Sequence, residues 1–257
     1  MDWAQWHDLY DVSIPLKERL LAVREQIAAA AARIPGTSVY LVSICAGDGR
    51  DVIGTFAAAD ARQEVHATLI ESHPALVTRG QAAVEHLGLA GRITFRCADA
   101  TQSSTYVDLR PAQILVLSGV FGNLKERDVP RLIAALPSLC ERDASVIWTR
   151  NLFDDGAKAT QIIRECFVAA DFTEEVVVRT PRGLFAVGTH TFRGVRRPLP
   201  RMVKQLESGK LVILQGLQPC RINSLRNCTR SSALKSNSRA VARPDGVTPS
   251  MRPSSRN

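Results

Sequence analysis

The sequence predicts an open α/β fold: a seven-stranded, mostly parallel sheet with helices on both faces and an antiparallel hairpin at its C-terminal end. Three observations carry that expectation. Continuous apolar, β-branched runs alternate with amphipathic stretches, the pattern of parallel strands buried on both faces. The alternation is regular from residue 38 to residue 180. The last two strand-like runs are separated only by Pro181, Arg182, Gly183 and Leu184, too few residues for a crossover helix, so they must pair antiparallel.

The elements follow in order. Residues 14–33 place Leu16, Leu20, Val23 and Ile27 at helical spacing, and Pro35-Gly36 stops the helix. SVYLVSICAG (38–47) reads as the first strand and 50–60 as a helix. VHATLIES (65–72) is the second strand; 74–88 is a helix opened by Pro74 and closed by Gly88. Strands are expected at 92–100 and 112–121, a helix at 126–139, a fifth strand at 144–151 and a helix at 156–169. FTEEVVVRT (172–180) and FAVGTHTFR (185–193) form the hairpin.

The 257 residues, 45% hydrophobic, suffice for one core with an appendage. The expected division is an N-terminal helical cap (1–35), a ligand-binding α/β domain (36–195) and a basic, largely disordered extension (196–257) rich in Ser, Arg, Asn and Pro. The formal charge of +8 divides unevenly. Residues 196–257 hold 13 basic and two acidic side chains, a net of +11, against 20 basic and 23 acidic before them, a net of −3. Nucleic acid is therefore a candidate partner only through the tail, by counterion release. The tail has no aromatic residue after Phe192 to serve as a stacking platform.

No stretch approaches the roughly 20 apolar residues of a membrane span. No basic segment precedes an apolar run at the N-terminus, and the six cysteines include no CxxC pair. The expectation is a cytoplasmic protein with reduced thiols and no metal site.

In an open α/β sheet, ligands bind beyond the C-terminal strand ends. There the first strand continues into Cys45-Ala46-Gly47-Asp48-Gly49-Arg50-Asp51. Two glycines one residue apart allow a tight turn and close backbone approach to a ligand. The second strand ends at Glu71, 22 residues after Gly49, where a carboxylate can accept both hydroxyl protons of a ribose. The third ends at Asp99-Ala100, within reach of an adenine amino group. Taken singly, Glu71 is equally a solvated strand-end acid and Asp99 a turn former. The combination points to an adenosine-containing cofactor.

A dinucleotide fingerprint requires a third glycine, G-x-G-x-x-G, where this chain has Val52; Gly54 comes two residues late. No G-K-[ST] follows the turn, which excludes a P-loop. Asp48 would repel a pyrophosphate but tolerate a zwitterionic amino acid. The balance favours S-adenosylmethionine over a nicotinamide cofactor.

Five βα units and a closing hairpin resemble the class I, Rossmann-like S-adenosylmethionine-dependent methyltransferases, whose seventh strand inserts antiparallel beside the fifth. The strings WAQWHDLYD (3–11), VSICAGDGRDV (42–52), LVLSGVFGNL (115–124) and VIWTRN (146–151) are similar to a bacterial group of that class. The similarity spans residues 3–193. It implies a cofactor loop of Ala46, Gly47, Asp48 and Gly49, with Glu71 and the adjoining Ser72 at the ribose. Asp99 and Ala100 would flank the adenine. Ser118, Gly119 and Val120 would line the methionine side.

The acceptor side is less sharply written. Trp3, His7 and Tyr10 lie at i, i+4, i+7, so one helical face can carry them, either over the site or simply against the sheet. His7 is the residue type suited to proton transfer near neutral pH, with Tyr10 and Asp11 behind it. Arg150, at the end of the fifth strand, is either a hold for an acidic substrate or a solvated arginine, and His190 reads as structural. No [DN]-P-P-[YFW] follows the fourth strand, so amino groups of nucleic-acid bases are disfavoured as acceptors. A small-molecule acceptor is the favoured reading. An NAD-linked oxidoreductase and a non-catalytic cofactor-binding or RNA-associated protein are the rivals; the sequence is silent on oligomeric state.

Overall fold

Alternation of side chains along a strand decides which layer each residue joins. In β1 (Ser38–Ile44), Val39 and Leu41 face one helical layer while Tyr40, Val42 and Ile44 face the other. The structure, a computed structural model, describes residues 3–57 and 63–198, with side chains from His7 onward. The basic extension beyond residue 198 lies outside the described residues.

After α1 (Trp3–Val12) and α2 (Ile14–Arg33), β1 alternates with α3 (Arg50–Phe56), β2 (Glu64–Glu71), α4 (Pro74–His86), β3 (Ile93–Cys97), β4 (Ala112–Leu117), α5 (Val129–Ala135), β5 (Cys140–Asn151) and α6 (Gly156–Ala169). β6 (Phe172–Arg179) and β7 (Phe185–Phe192) close the sheet. The strand order is β3-β2-β1-β4-β5-β7-β6. β7 runs antiparallel to both its neighbours, and every other pairing is parallel. The predicted fold class and hairpin are both present.

Two apolar layers sandwich the sheet. Val23, Ile27 and Ala30 of α2 pack with Val52 and Ile53 of α3 on Leu41, Leu69, Ile114 and Ile147. On the other face, Leu132, Ile163 and Phe167 pack on Val42, Ile70, Leu115 and Trp148. Among the described residues no helix is long and apolar enough to cross a membrane.

Several boundaries differ from the sequence reading. The helix expected over 50–60 ends at Phe56, and residues 58–62 lie outside the described residues. The helix expected over 126–139 is α helix only from Val129 to Ala135, flanked by 3-10 turns. Pro137 lacks an N–H and so cannot donate the bond that would carry the α-helix through it. β4 stops at Leu117 because the chain turns at Gly119, with φ +79°. β5 starts at Cys140, four residues early, through a bulge opposite Ala112–Ile114 where Asp143 takes φ +66°.

The order of the strands reverses between β1 and β4. The chain leaving those two strands, residues 45–49 and 118–123, therefore opens into the crevice where this architecture takes ligands.

Candidate functional site

The turn after β1 is built from left-handed residues: Cys45 at φ +55°, Gly47 at +61° and Gly49 at +69°. At Gly49 a β-carbon would come within 2.6 Å of Leu69 and 2.9 Å of Phe95, so glycine is required for space as well as torsion. The turn is fastened to the end of β2 by one carboxylate. Glu71 Oε2 accepts the Gly47 N–H at 2.8 Å and Oε1 accepts the His73 N–H at 2.9 Å. Ser72 places its hydroxyl 3.5 Å from the same Oε1. Glycine turn and strand-end acid, 22 residues apart in sequence, thus form one unit.

Asp48 turns inward and is 5% exposed. Arg50 forks onto it, Nε at 2.9 Å from Oδ1 and Nη2 at 2.5 Å from Oδ2, and His7 Nδ1 stands 3.4 Å from Oδ1. Burial alone would raise this carboxyl, but the hydrogen bonds from His7 and Arg50 outweigh it and hold Asp48 well below the usual carboxylate range. Arg79 of α4 adds a contact at 3.9 Å while pairing with Asp8 at 2.9 Å; Arg50 also reaches Asp11 at 3.6 Å. These pairs moor α1 across the glycine turn. Tyr10, 6% exposed, lies between two guanidinium groups, Arg50 at 4.7 Å and Arg19 at 5.2 Å from its ring centre.

Beyond β3, Asp99 folds its carboxylate back onto its own turn, accepting the Thr101 N–H at 2.8 Å. The side chain is nevertheless exposed, whereas Ala100 is buried with its carbonyl bonded to the Tyr106 hydroxyl at 2.8 Å. Beyond β4, the Gly119 N–H donates to Thr149 Oγ1 at 2.7 Å and its carbonyl accepts from Asn123 Nδ2 at 2.8 Å, which fixes the loop. Ser118 is half-buried; the Val120 side chain belongs to the core, leaving only its backbone to face the crevice. Cys45 is an inert neighbour: burial, with Glu71 and Asp99 nearby, pushes its thiol up to about 12.

The structure therefore brings His7 and Tyr10 to the same turn as Ala46, Gly47, Asp48, Gly49 and Glu71. The Trp3 and Trp6 side chains lie outside the described residues. His190 pairs in register with Val146, mid-strand, and accepts the Trp148 indole N–H at 3.1 Å.

Arg19 is a buried charged residue beside Tyr10 that the sequence did not reveal. It is 6% exposed on α2, where periodicity favoured Leu20, and its guanidinium lies 5.2 Å from the ring centres of both Tyr10 and Phe185. Its only signal was a basic residue at i+3 from Leu16 and i−4 from Val23, on the apolar stripe itself.

A family model described as "Putative methyltransferase" matches residues 14–154, more than half of the chain. The chain belongs to that family. As a methyltransferase of this class it uses S-adenosylmethionine, and the nicotinamide alternative falls away. No curated protein matches the chain in sequence. Among solved structures, the methyltransferase is similar to the magnesium protoporphyrin IX methyltransferase of Synechocystis PCC 6803, solved with bound S-adenosylmethionine. The identity is 16% and the TM-score 0.58, over 75% of this chain and 91% of that one. It is also similar to the N-methyltransferase NodS of Bradyrhizobium japonicum WM9, in complex with S-adenosylhomocysteine, at 11% identity and TM-score 0.53 over 72% and 91%. The [4+2]-cyclase SpnF matches at 14% identity and TM-score 0.51 over 66% and 81%. At these identities the likeness is one of fold.

Proposed function

We propose that this methyltransferase acts on a small-molecule acceptor, with the cofactor held by the turn 46–49, Glu71 and Ser72, Asp99 and Ala100, and the backbone of Ser118, Gly119 and Val120. The observation that carries the reading is the Gly47 N–H to Glu71 hydrogen bond. It sets a carboxylate beside a side-chain-free turn, and the two fit a nucleoside carrying an amino acid. When bound there, S-adenosylmethionine supplies an activated methyl group.

The chain's own residues do the rest. Glu71 keeps the turn closed and offers its carboxylate to ribose hydroxyls. Asp48, engaged by Arg50 and His7, contributes through its backbone and orients the imidazole. A base held by a carboxylate is the arrangement that general-base catalysis needs, so His7 is assigned the acceptor's proton. Tyr10, buried between guanidinium groups, walls the site and acts by positioning. Helix α1 excludes water from the turn it covers.

Calorimetric titration with S-adenosylhomocysteine tests the cofactor site. Micromolar binding that weakens by about 1.5–3 kcal/mol in Glu71→Ala, the range for a hydrogen bond to a charged group, agrees with this assignment. Wild-type affinity in that variant refutes it.

A further inference from the structure

We propose that Arg24 of α2 is a positioning residue for the cofactor turn, and that position 54 is glycine in order to seat it. This deepens the methyltransferase reading and rests on it. The turn after β1 runs through three residues of positive φ, Cys45, Gly47 and Gly49. At Cys45 that conformation is strained, and it persists only where the surroundings hold it. Glu71 holds the turn near its start, through the Gly47 N–H at 2.8 Å. At its exit the chain enters α3, whose seven residues are too few to form a stable helix alone. An anchor from outside is present there. Arg24 donates from Nε at 3.1 Å and from Nη2 at 2.6 Å to the carbonyl oxygen of Arg50, the residue directly after Gly49.

Arg50 passes that anchor on to the site. Its side chain forks onto Asp48 at 2.9 and 2.5 Å, and Asp48 Oδ1 stands 3.4 Å from His7 Nδ1. Arg50 is therefore held at both ends, by Arg24 at its backbone and by Asp48 at its guanidinium. A backbone shift at Arg50 would carry the fork with it and disturb Asp48 and the glycines on either side. Gly54, two residues late for a dinucleotide fingerprint, finds its reason here. A β-carbon on Gly54 would overlap the Arg24 guanidinium, with Cζ and Nη2 the nearest atoms and Nε at 2.6 Å. Glycine inside a helix is disfavoured against alanine, so its presence in α3 matches the room the guanidinium needs. Burial and the nearby Arg50 lower the Arg24 pKa while Asp51 opposes them, but an arginine stays charged and its bonds to the carbonyl are charge-assisted.

The test titrates full-length protein with S-adenosylhomocysteine, beside Arg24→Ala, Arg24→Lys, Gly54→Ala, the Arg24→Ala/Gly54→Ala pair and Val23→Ala. Val23 packs in the same α2–α3 layer, so truncating it weakens that layer without removing the anchor. Arg24→Ala and Gly54→Ala should each weaken binding about tenfold, the scale of one charge-assisted hydrogen bond. Arg24→Lys keeps the charge without the fork and should lose less. Val23→Ala should lower the thermal midpoint yet stay within about threefold of wild-type affinity, because its cost is one of packing. The midpoint gives a second readout. Gly54→Ala should lower it in the wild type and raise it in the Arg24→Ala background, where alanine improves the helix and meets no guanidinium. If Arg24→Ala does not fold, Gly54→Ala and Arg24→Lys carry the same comparison. Arg24 and Gly54 variants that lose stability but bind S-adenosylhomocysteine normally overturn the inference, since the arginine then only packs α2 on α3; the methyltransferase reading stands. So does a Gly54→Ala loss that persists undiminished in the Arg24→Ala background, or a Val23→Ala loss of affinity as large as that of Arg24→Ala. Failure of the wild type to bind S-adenosylhomocysteine removes the underlying reading instead.

Discussion

The imidazole of His7 lies so close to Gly47 that a single methyl group on the glycine would overlap the ring, with Nε2 and Cε1 the nearest atoms. A residue of the N-terminal helix thus closes directly on the turn that 39 residues of intervening chain deliver to the sheet edge. The contact explains why that turn needs glycine at φ +61°, and why α1 and the turn act together.

Gly47→Ala should therefore be penalised twice, by the left-handed backbone and by overlap with His7. We expect at least a tenfold loss of S-adenosylhomocysteine affinity. Adding His7→Ala should recover the steric share and leave about 1 kcal/mol, the backbone cost for a residue with a β-carbon. Calorimetry on the single and double variants measures this; equal losses in both would show that the ring does not occupy that space.

Glu71→Gln separates the structural role of the carboxylate from its charge. Oε2 and Oε1 accept from Gly47 and His73. An amide can satisfy only one of the two, because its NH2 would face an N–H. We expect Glu71→Gln to lower thermal stability by roughly 1–3 kcal/mol even without ligand, the scale of an unsatisfied buried donor. A thermal midpoint equal to wild type would mean that the hydrogen bonds to the turn contribute nothing.

The sheet was legible because its signal is local. β1 reads as a buried strand from Val39 to Ile44, and the four-residue connection at 181–184 dictates the hairpin. The site was half legible. Glycine spacing and strand-end acids announce themselves, but Arg19 does not. Helix α2 runs from the ligand edge of the sheet, where Glu18 bonds Arg182, to the opposite edge, where Arg33 reaches Ser145 at 3.1 Å. In its first turns one position of the apolar stripe is taken by Arg19, which packs against the Tyr10 and Phe185 rings rather than the aliphatic core. Periodicity alone cannot see where a stripe leaves the core. The early start of β5 was hidden for a different reason: Glu141-Arg142-Asp143 are polar and largely solvent-facing, and they form the bulge between the Cys140 and Ser145 pairings with β4.

Gly188 stands opposite Trp148 in the β5–β7 register, and a β-carbon there would overlap the indole. Trp148 cannot withdraw, because it stacks on Phe167 at 6.1 Å and bonds His190. Gly188→Ala should cost about 1–3 kcal/mol of stability, the usual penalty for overpacking. Urea unfolding would measure it. In a Trp148→Phe background, where the ring is smaller, the same substitution should cost less; additivity would refute the proposed overlap.

His190 gives the fold an acid sensitivity of defined sign. Its ring is fully buried and stacked on Phe167 at 4.4 Å. Burial lowers its pKa to about 4, with Glu174 opposing and Arg164 reinforcing the shift. An unfolded histidine titrates near 6.5. Between those values only the unfolded chain takes up the proton, so stability should fall as pH drops from about 6.5 to 4, by about 3 kcal/mol at the limit. Above pH 6.5 the ring is neutral in both states and contributes no slope. His190→Gln keeps an acceptor for the Trp148 indole and has nothing to titrate. Urea denaturation across pH 4–7 should show a shallower dependence for this variant than for wild type. Parallel curves would assign the acid sensitivity to other groups.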